Sequence, residues 1–178
     1  MIRQTTRSLA ELAQQLPIVL DRATAAQLLP HAGAMCLLEA VTACDNNAIQ
    51  CTANSHQSRD NPLRENDRLP IVAGIEYAAQ AIAIHGTLGA KAGREPGFDT
   101  TPRRGYLATL KQVEWTHARL DTVDTALIVE AEQLESIDGA SSYCFSVRSA
   151  STLLLSGTTM VALAQARAAN IALPHSMT

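Results

Sequence analysis

The sequence predicts an α+β domain in which one long helix lies against an antiparallel sheet. The run IVAGIEYAAQAIAIHGTL at 71–88 is apolar nearly all round, the pattern of a helix enclosed on most sides. β-rich stretches follow at about 107–115, 123–135, 141–150 and 151–164, and such grouping favours α+β over the βαβ alternation of nucleotide-binding folds. No GxGxxG or GxxxxGK[ST] run contradicts this. At 178 residues, with 47% hydrophobic and 17% charged side chains, the chain fits one packed core and is too apolar for disorder. A net charge of −3 supplies no field for phosphates, and 3% aromatic residues give few stacking platforms. Nucleic acid is therefore excluded as the expected partner.

Residues 1–22 read as an N-terminal extension, with a short amphipathic helix at 7–15 broken by Pro17. A single domain is expected over 23–168, followed by a tail at 169–178. Asp21 or Thr24 caps a short helix running to Leu29, where Pro30 stops it. Strands at 35–44 and 48–54 form a hairpin around Asp45, Asn46 and Asn47. Residues 55–70 are polar, contain two prolines and form a loop long enough to be functional. After the central helix, 91–104 is a Gly/Pro-bearing loop. Asp138-Gly139 is a strong hairpin signal, whereas Arg148, Ser149 and Ser151 offer only a weak turn.

Cys36, Cys44, Cys51 and Cys144 have neither CxxC spacing nor the density of a disulfide scaffold, so buried free thiols and no metal site are expected. The N-terminus builds no secretory apolar segment, which predicts a cytoplasmic protein. The apolar run over 71–84 is interrupted by Glu76, Tyr77 and Gln80 and reads as too short to span a bilayer.

Glu76 places a carboxylate inside that apolar helix, where burial would penalise the charged form unless a partner is present. A carboxyl kept protonated can act as a general acid. The plainer alternative is an exposed stripe, or a carboxyl that tethers a loop. Gln80, one helical turn on, shares nearly the same face and can orient the carboxyl.

LLPHAGAMCLLEAV at 28–41 and LPIVAGIEYAAQA at 69–81 resemble the helix-to-strand entry and central-helix signature of bacterial β-hydroxyacyl-ACP dehydratases. In that signature Pro precedes the catalytic acid by six residues and Gln follows it by four, as Pro70, Glu76 and Gln80 do. The resemblance covers most of 24–165 in element order and implies the hotdog fold, a long helix wrapped by a curved antiparallel sheet. The NPL run at 61–63 and IEYAAQ at 75–80 are most similar to the divergent dehydratase-like branch of aryl-polyene biosynthesis clusters.

Two positions depart from the pattern. The family's catalytic His lies fourteen residues before the acid, where this chain has Pro62. Its glycine five residues before the acid, whose N–H meets the thioester carbonyl, is here Ile71. Ile71 retains the N–H but restricts the backbone. Another histidine is needed as base, unless the site is degenerate. His85 falls on the opposite helix face from Glu76, and His117 and His175 read as solvated. His31, fixed beside Pro30 at the helix-to-strand junction, is the first candidate base; its alternative is a structural histidine bonding loop backbone. His56, at the start of the long loop, is the substitute.

The resemblance implies dehydration of a 3-hydroxyacyl thioester without a cofactor, with His31 or His56 as base, Glu76 as acid, and Pro70, Ile71 and Gln80 at the substrate. It also implies an acyl carrier protein partner and a homodimer or hetero-oligomer of hotdog subunits. Arg59, Arg64 and Arg68, with Lys91, Arg94, Arg103 and Arg104, are candidates for meeting an acidic carrier, or simply solvated charges. A noncatalytic subunit that completes an active partner, and a hotdog thioesterase in which Glu76 directs water, are the two competing readings.

Overall fold

The computed structural model describes residues 19–92, 105–137 and 140–163. Its order is α1 (Arg22–Ala26), β1 (Ala40–Cys44), β2 (Ala48–Ala53), α2 (Gly74–Ala92), β3 (Gly105–Trp115), β4 (Leu127–Ile137), β5 (Ala140–Ser149) and β6 (Thr152–Leu163). The six strands form one sheet in the order β1-β2-β4-β5-β6-β3, antiparallel at every pairing. The α2 helix packs on β2, β4 and β5, so the predicted α+β hotdog arrangement is present.

The short helix is capped by Asp21, whose carboxylate accepts the Thr24 N–H at 2.9 Å. It ends at Ala26 and continues as a turn carrying buried Leu28 and Leu29. Leu20 pairs with Val41 through two backbone bonds. The 7–15 helix and the 169–178 tail lie outside the described residues.

The first hairpin is present, but its leading strand starts at Ala40 and not at 35. Gly33–Met35 form a 3-10 turn, with Gly33 at φ 63°. The Leu37 N–H and Met35 carbonyl bond the Gln80 side chain at 2.9 and 2.7 Å, so a helix side chain takes the groups that a strand would give to its neighbour. Asp45 closes the turn by accepting the Asn47 and Ala48 N–H groups at 2.7 and 2.8 Å.

The 55–70 loop is more ordered than its composition suggests. It contains a 3-10 turn at Ser55–Gln57 and a tight reversal in which Glu65 pairs with Arg68 around Asn66 and Asp67, at φ 50° and 60°. Asn and Asp tolerate this left-handed region.

The central helix begins as a 3-10 turn at Ile71–Ala73 before α2 proper. Ile71–Gly89 spans 19 residues at mean hydropathy 1.2, so the expectation that the run is too short for a bilayer does not hold on length and composition. Half of this stretch is buried against the sheet, as in the core helix of a folded domain. Lys91 and Ala92 extend the helix into the expected loop, and residues 93–104, with Arg94, Arg103 and Arg104, lie outside the described residues.

Gly74 lets the helix close on the sheet. A Cβ there would fall 2.8 Å from Leu155 Cδ2 and 3.5 Å from Val147 Cγ2. Both neighbours are fully buried and have little room to yield. Gly74→Val should therefore destabilise the fold by about 1–3 kcal/mol through overpacking, as read by the urea midpoint; an unchanged midpoint would mean that the helix shifts freely.

The expected turn at Asp138 and Gly139 lies outside the described residues; Ile137 and Ala140, which flank it, are paired. The turn at Arg148, Ser149 and Ser151 is tight: Ser149 pairs with Thr152 around Ala150, at φ 49°, and Ser151. β6 pairs with β3, along which Tyr106, Leu107, Leu110 and Trp115 are exposed. The β1 edge is covered by Leu20, whereas β3 has no strand beyond it among the described residues.

Candidate functional site

Glu76 sits in the first turn of α2, and His31 lies just before the Gly33–Met35 turn. His31 Nε2 is 3.6 Å from Glu76 Oε1 within the same chain. Their side chains are 35% and 30% exposed, so the pair is open to a ligand on one side. Of the two alternatives for Glu76, the geometry favours the exposed stripe: it lies on a partly exposed face of the helix with Val72, Ile75, Ala79 and Ala83. His31 Nδ1 is shielded without a hydrogen-bond partner.

Gln80 is buried, and all of its recorded bonds stay within the protein. Its Oε1 accepts from Leu37 N–H, while Nε2 donates to the Met35 carbonyl and, at 3.1 Å, to Glu76 Oε1. It thus bonds the carboxyl across one helical turn, and both Nε2 protons are used within the protein. Both recorded Glu76 contacts use Oε1.

Pro70 is the N-cap of the 3-10 turn and pairs with Arg119. Ile71 is buried, and its N–H donates to the Ala118 carbonyl at 3.0 Å. That corrects the expectation that the Ile71 N–H meets a thioester carbonyl. Ala73 and Gly74 N–H groups turn back to Pro70, Ile71 and Val72 carbonyls, whereas Val72 is half exposed.

His56 is completely buried in its 3-10 turn, with Nε2 3.1 Å from the Val123 carbonyl. Desolvation lowers its pKa, against a smaller upward pull from that carbonyl. No hydrogen bond or ion pair joins it to Glu76 among the described residues, whereas His31 is paired with the acid. His85 is likewise interior, between the Tyr143 hydroxyl at 2.9 Å and the Asp45 carbonyl at 3.1 Å. No cluster of three His, Cys, Asp or Glu side chains suited to a metal occurs among the described residues.

Two polar residues that carried no role in the sequence reading frame the site. Asp121, with a side chain 5% exposed, accepts from the Leu69 N–H at 3.1 Å and pairs with Arg64 at 3.3 Å and with Arg119. It clamps the segment entering Pro70. Its carboxyl is held well below the ordinary range, first by the Arg119 hydrogen bonds and against desolvation. Tyr77, completely buried beside Glu76, bonds Ser55 and Asn61. A tyrosine in an apolar helix was the available signal, since a buried phenol needs a partner; Asp121 has Arg119 two residues away, but Arg64 and the Leu69 N–H, which make it a clamp, lie 57 and 52 positions away. Arg64 is committed to Asp121 and to three loop carbonyls, which leaves Arg59 and Arg68 as the loop's exposed cations.

No curated protein sequence matches this chain. Among solved structures it is similar to a chain of "The Dehydratase Heterocomplex ApeI:P" from Xenorhabdus doucetiae, at 22% identity and TM-score 0.68, over 80% of this chain and 91% of that one. It is also similar to thioesterase HI1161 from Haemophilus influenzae, at 12% identity and TM-score 0.53, over 92% and 95% of the two chains. An HP0420 homologue from Helicobacter felis matches at 10% identity and TM-score 0.53, over 79% and 88%. These likenesses carry the fold. The model of the ApeP-like family, described as ApeP dehydratase, matches residues 23–172, and the chain belongs to that family.

Proposed function

We propose that the chain is a cytoplasmic 3-hydroxyacyl-ACP dehydratase, and the 3.6 Å approach of His31 to Glu76 is the observation that carries this reading. In the proposed reaction His31 Nε2 takes the C2 proton of the thioester. The C2–H electron pair becomes the C2=C3 double bond. The C3–O bond breaks, and Glu76 protonates the departing hydroxyl, giving water and a trans-2-enoyl thioester. Among the described residues no hydrogen bond or ion pair reaches Glu76 Oε2, and it is the oxygen assigned to the hydroxyl. With the Ile71 N–H occupied, the Val72 N–H in the first helical turn is assigned to the thioester carbonyl, where the helix dipole assists.

A second reading has support of its own. Pro62 at the family's His position and the occupied Ile71 N–H favour a noncatalytic subunit that completes an active dehydratase. The similar structure being named a heterocomplex fits a mixed hotdog oligomer, and the open β3 edge supplies a surface for it. An acyl carrier would approach Arg59 and Arg68.

Incubation with a 3-hydroxyacyl-ACP, alone and with a second hotdog subunit, tests these readings. Enoyl product from this chain, lost by roughly 10²–10⁴-fold in His31→Asn, is the expected result. Activity present only with the partner and indifferent to His31→Asn would overturn the catalytic reading. Release of free carrier thiol in place of enoyl product would assign a thioesterase.

A further inference from the structure

We propose that Tyr77 is a positioning residue that sets the geometry between Glu76 and His31 through a hydrogen-bonded chain running across the loop and the strand entry. This inference rests on the reading of Glu76 and His31 as acid and base.

The chain is continuous, and its protons are accounted for. Ser55 Oγ donates to the Leu37 carbonyl at 2.7 Å, which uses its one proton. The Tyr77 hydroxyl, 2.8 Å from Ser55 Oγ, must then be the donor in that contact. Asn61 Nδ2 donates to the Tyr77 oxygen at 2.9 Å and to the Ser55 carbonyl at 2.9 Å. Asn61 Oδ1 accepts from Leu63 N–H at 3.0 Å. Burial pushes the Tyr77 phenol up from its ordinary range, so it stays protonated and can donate.

On the other side of Leu37 the chain reaches the reacting groups. Leu37 N–H bonds Gln80, which bonds Met35 and Glu76. Residues 35–37 are thus held between two side chains of one helix, Gln80 directly and Tyr77 through Ser55. The same stretch carries His31: Cys36 N–H bonds the Gly33 carbonyl at 3.1 Å, and its thiol approaches the His31 carbonyl at 3.5 Å. Displacing the Leu37 backbone therefore moves Gln80, and with it Glu76, while also shifting the segment that ends in His31. A buried network with every proton placed holds one arrangement.

Tyr77→Phe tests the proposal. Loss of one buried hydroxyl is expected to lower kcat about tenfold with KM held within about twofold. A crystal structure of the variant should show the His31 Nε2 to Glu76 Oε1 separation wider than in wild type. Tyr143→Phe is the control, since it removes a comparably buried hydroxyl bonded to His85; it should lower Tm without changing kcat. The proposal is overturned if Tyr77→Phe lowers kcat no more than Tyr143→Phe, or raises KM alone. Should Tyr77→Phe not fold, Ser55→Ala is read by the same criteria. Absence of enoyl product from wild type, alone and with a partner, defeats the functional reading and leaves the separation as judge: wider supports positioning, unchanged overturns it.

Discussion

Replacing Glu76 by Gln is expected to slow enoyl formation by roughly 10²–10⁴-fold, because the amide cannot give a proton to the departing hydroxyl. Folding should survive. The Glu76 side chain is 30% exposed, so the substitution neither opens a cavity nor strands a buried charge. The carboxamide oxygen can still accept from Gln80 Nε2. The assay compares initial rates of wild type and variant on one 3-hydroxyacyl-ACP, with circular dichroism as the folding check. A folded variant of undiminished rate would remove Glu76 from the chemistry. A loss confined to KM would instead mean that Glu76 binds substrate without transferring a proton.

The largest effect on stability is expected from Asp121→Ala. Removal of one member of a buried ion pair leaves its partners uncompensated. Arg64 is 12% exposed and Arg119 35%, so the cost should fall near the lower end for such pairs, on the order of 3 kcal/mol. For a chain of this size that lowers Tm by about 6–12 °C. The pH dependence has a definite sign. The Asp121 carboxyl is held below its ordinary value of 3.8, so its contribution is complete above that value and drains away as pH falls toward the lower folded value. The difference between wild type and Asp121→Ala should narrow below about pH 4. A difference that stays constant into acid would show that the carboxylate charge is not what holds the segment.

These two residues also mark how far the sequence could be read. The helix at 71–88 was legible because its apolar residues encircle it, and the strands after it because they alternate between turn signals. Glu76 and Gln80 stood out as polar groups one turn apart in an apolar run, and His31 as a histidine fixed beside a proline. Whether Glu76 is enclosed was left open because helical periodicity gives a face but not what covers it; here that face is a partly exposed stripe that includes Val72, Ile75 and Ala79. The start of β1 was misplaced for a related reason, since Gln80 captures the Leu37 and Met35 backbone from 43 and 45 positions away. Pairings at that distance leave no local trace. The Ile71 N–H was expected to be free, yet its acceptor is the backbone of Ala118, which no side-chain pattern announces.

The outer strand β3 bears on how this chain behaves while it is being made. A strand whose outer hydrogen-bonding groups have no neighbouring strand among the described residues, with Tyr106, Leu110 and Trp115 exposed, is a template on which other chains can add and precipitate. Two irregularities work against that outcome. The register slips between Leu107 and Thr109 and again between Lys111 and Glu114, and Gln112 adopts φ 51°. Each slip twists the edge away from the flat ribbon that indiscriminate stacking needs. The edge is thereby selective by shape: a strand with matching twist can add along it, whereas the repetitive growth of an aggregate meets a kink every few residues.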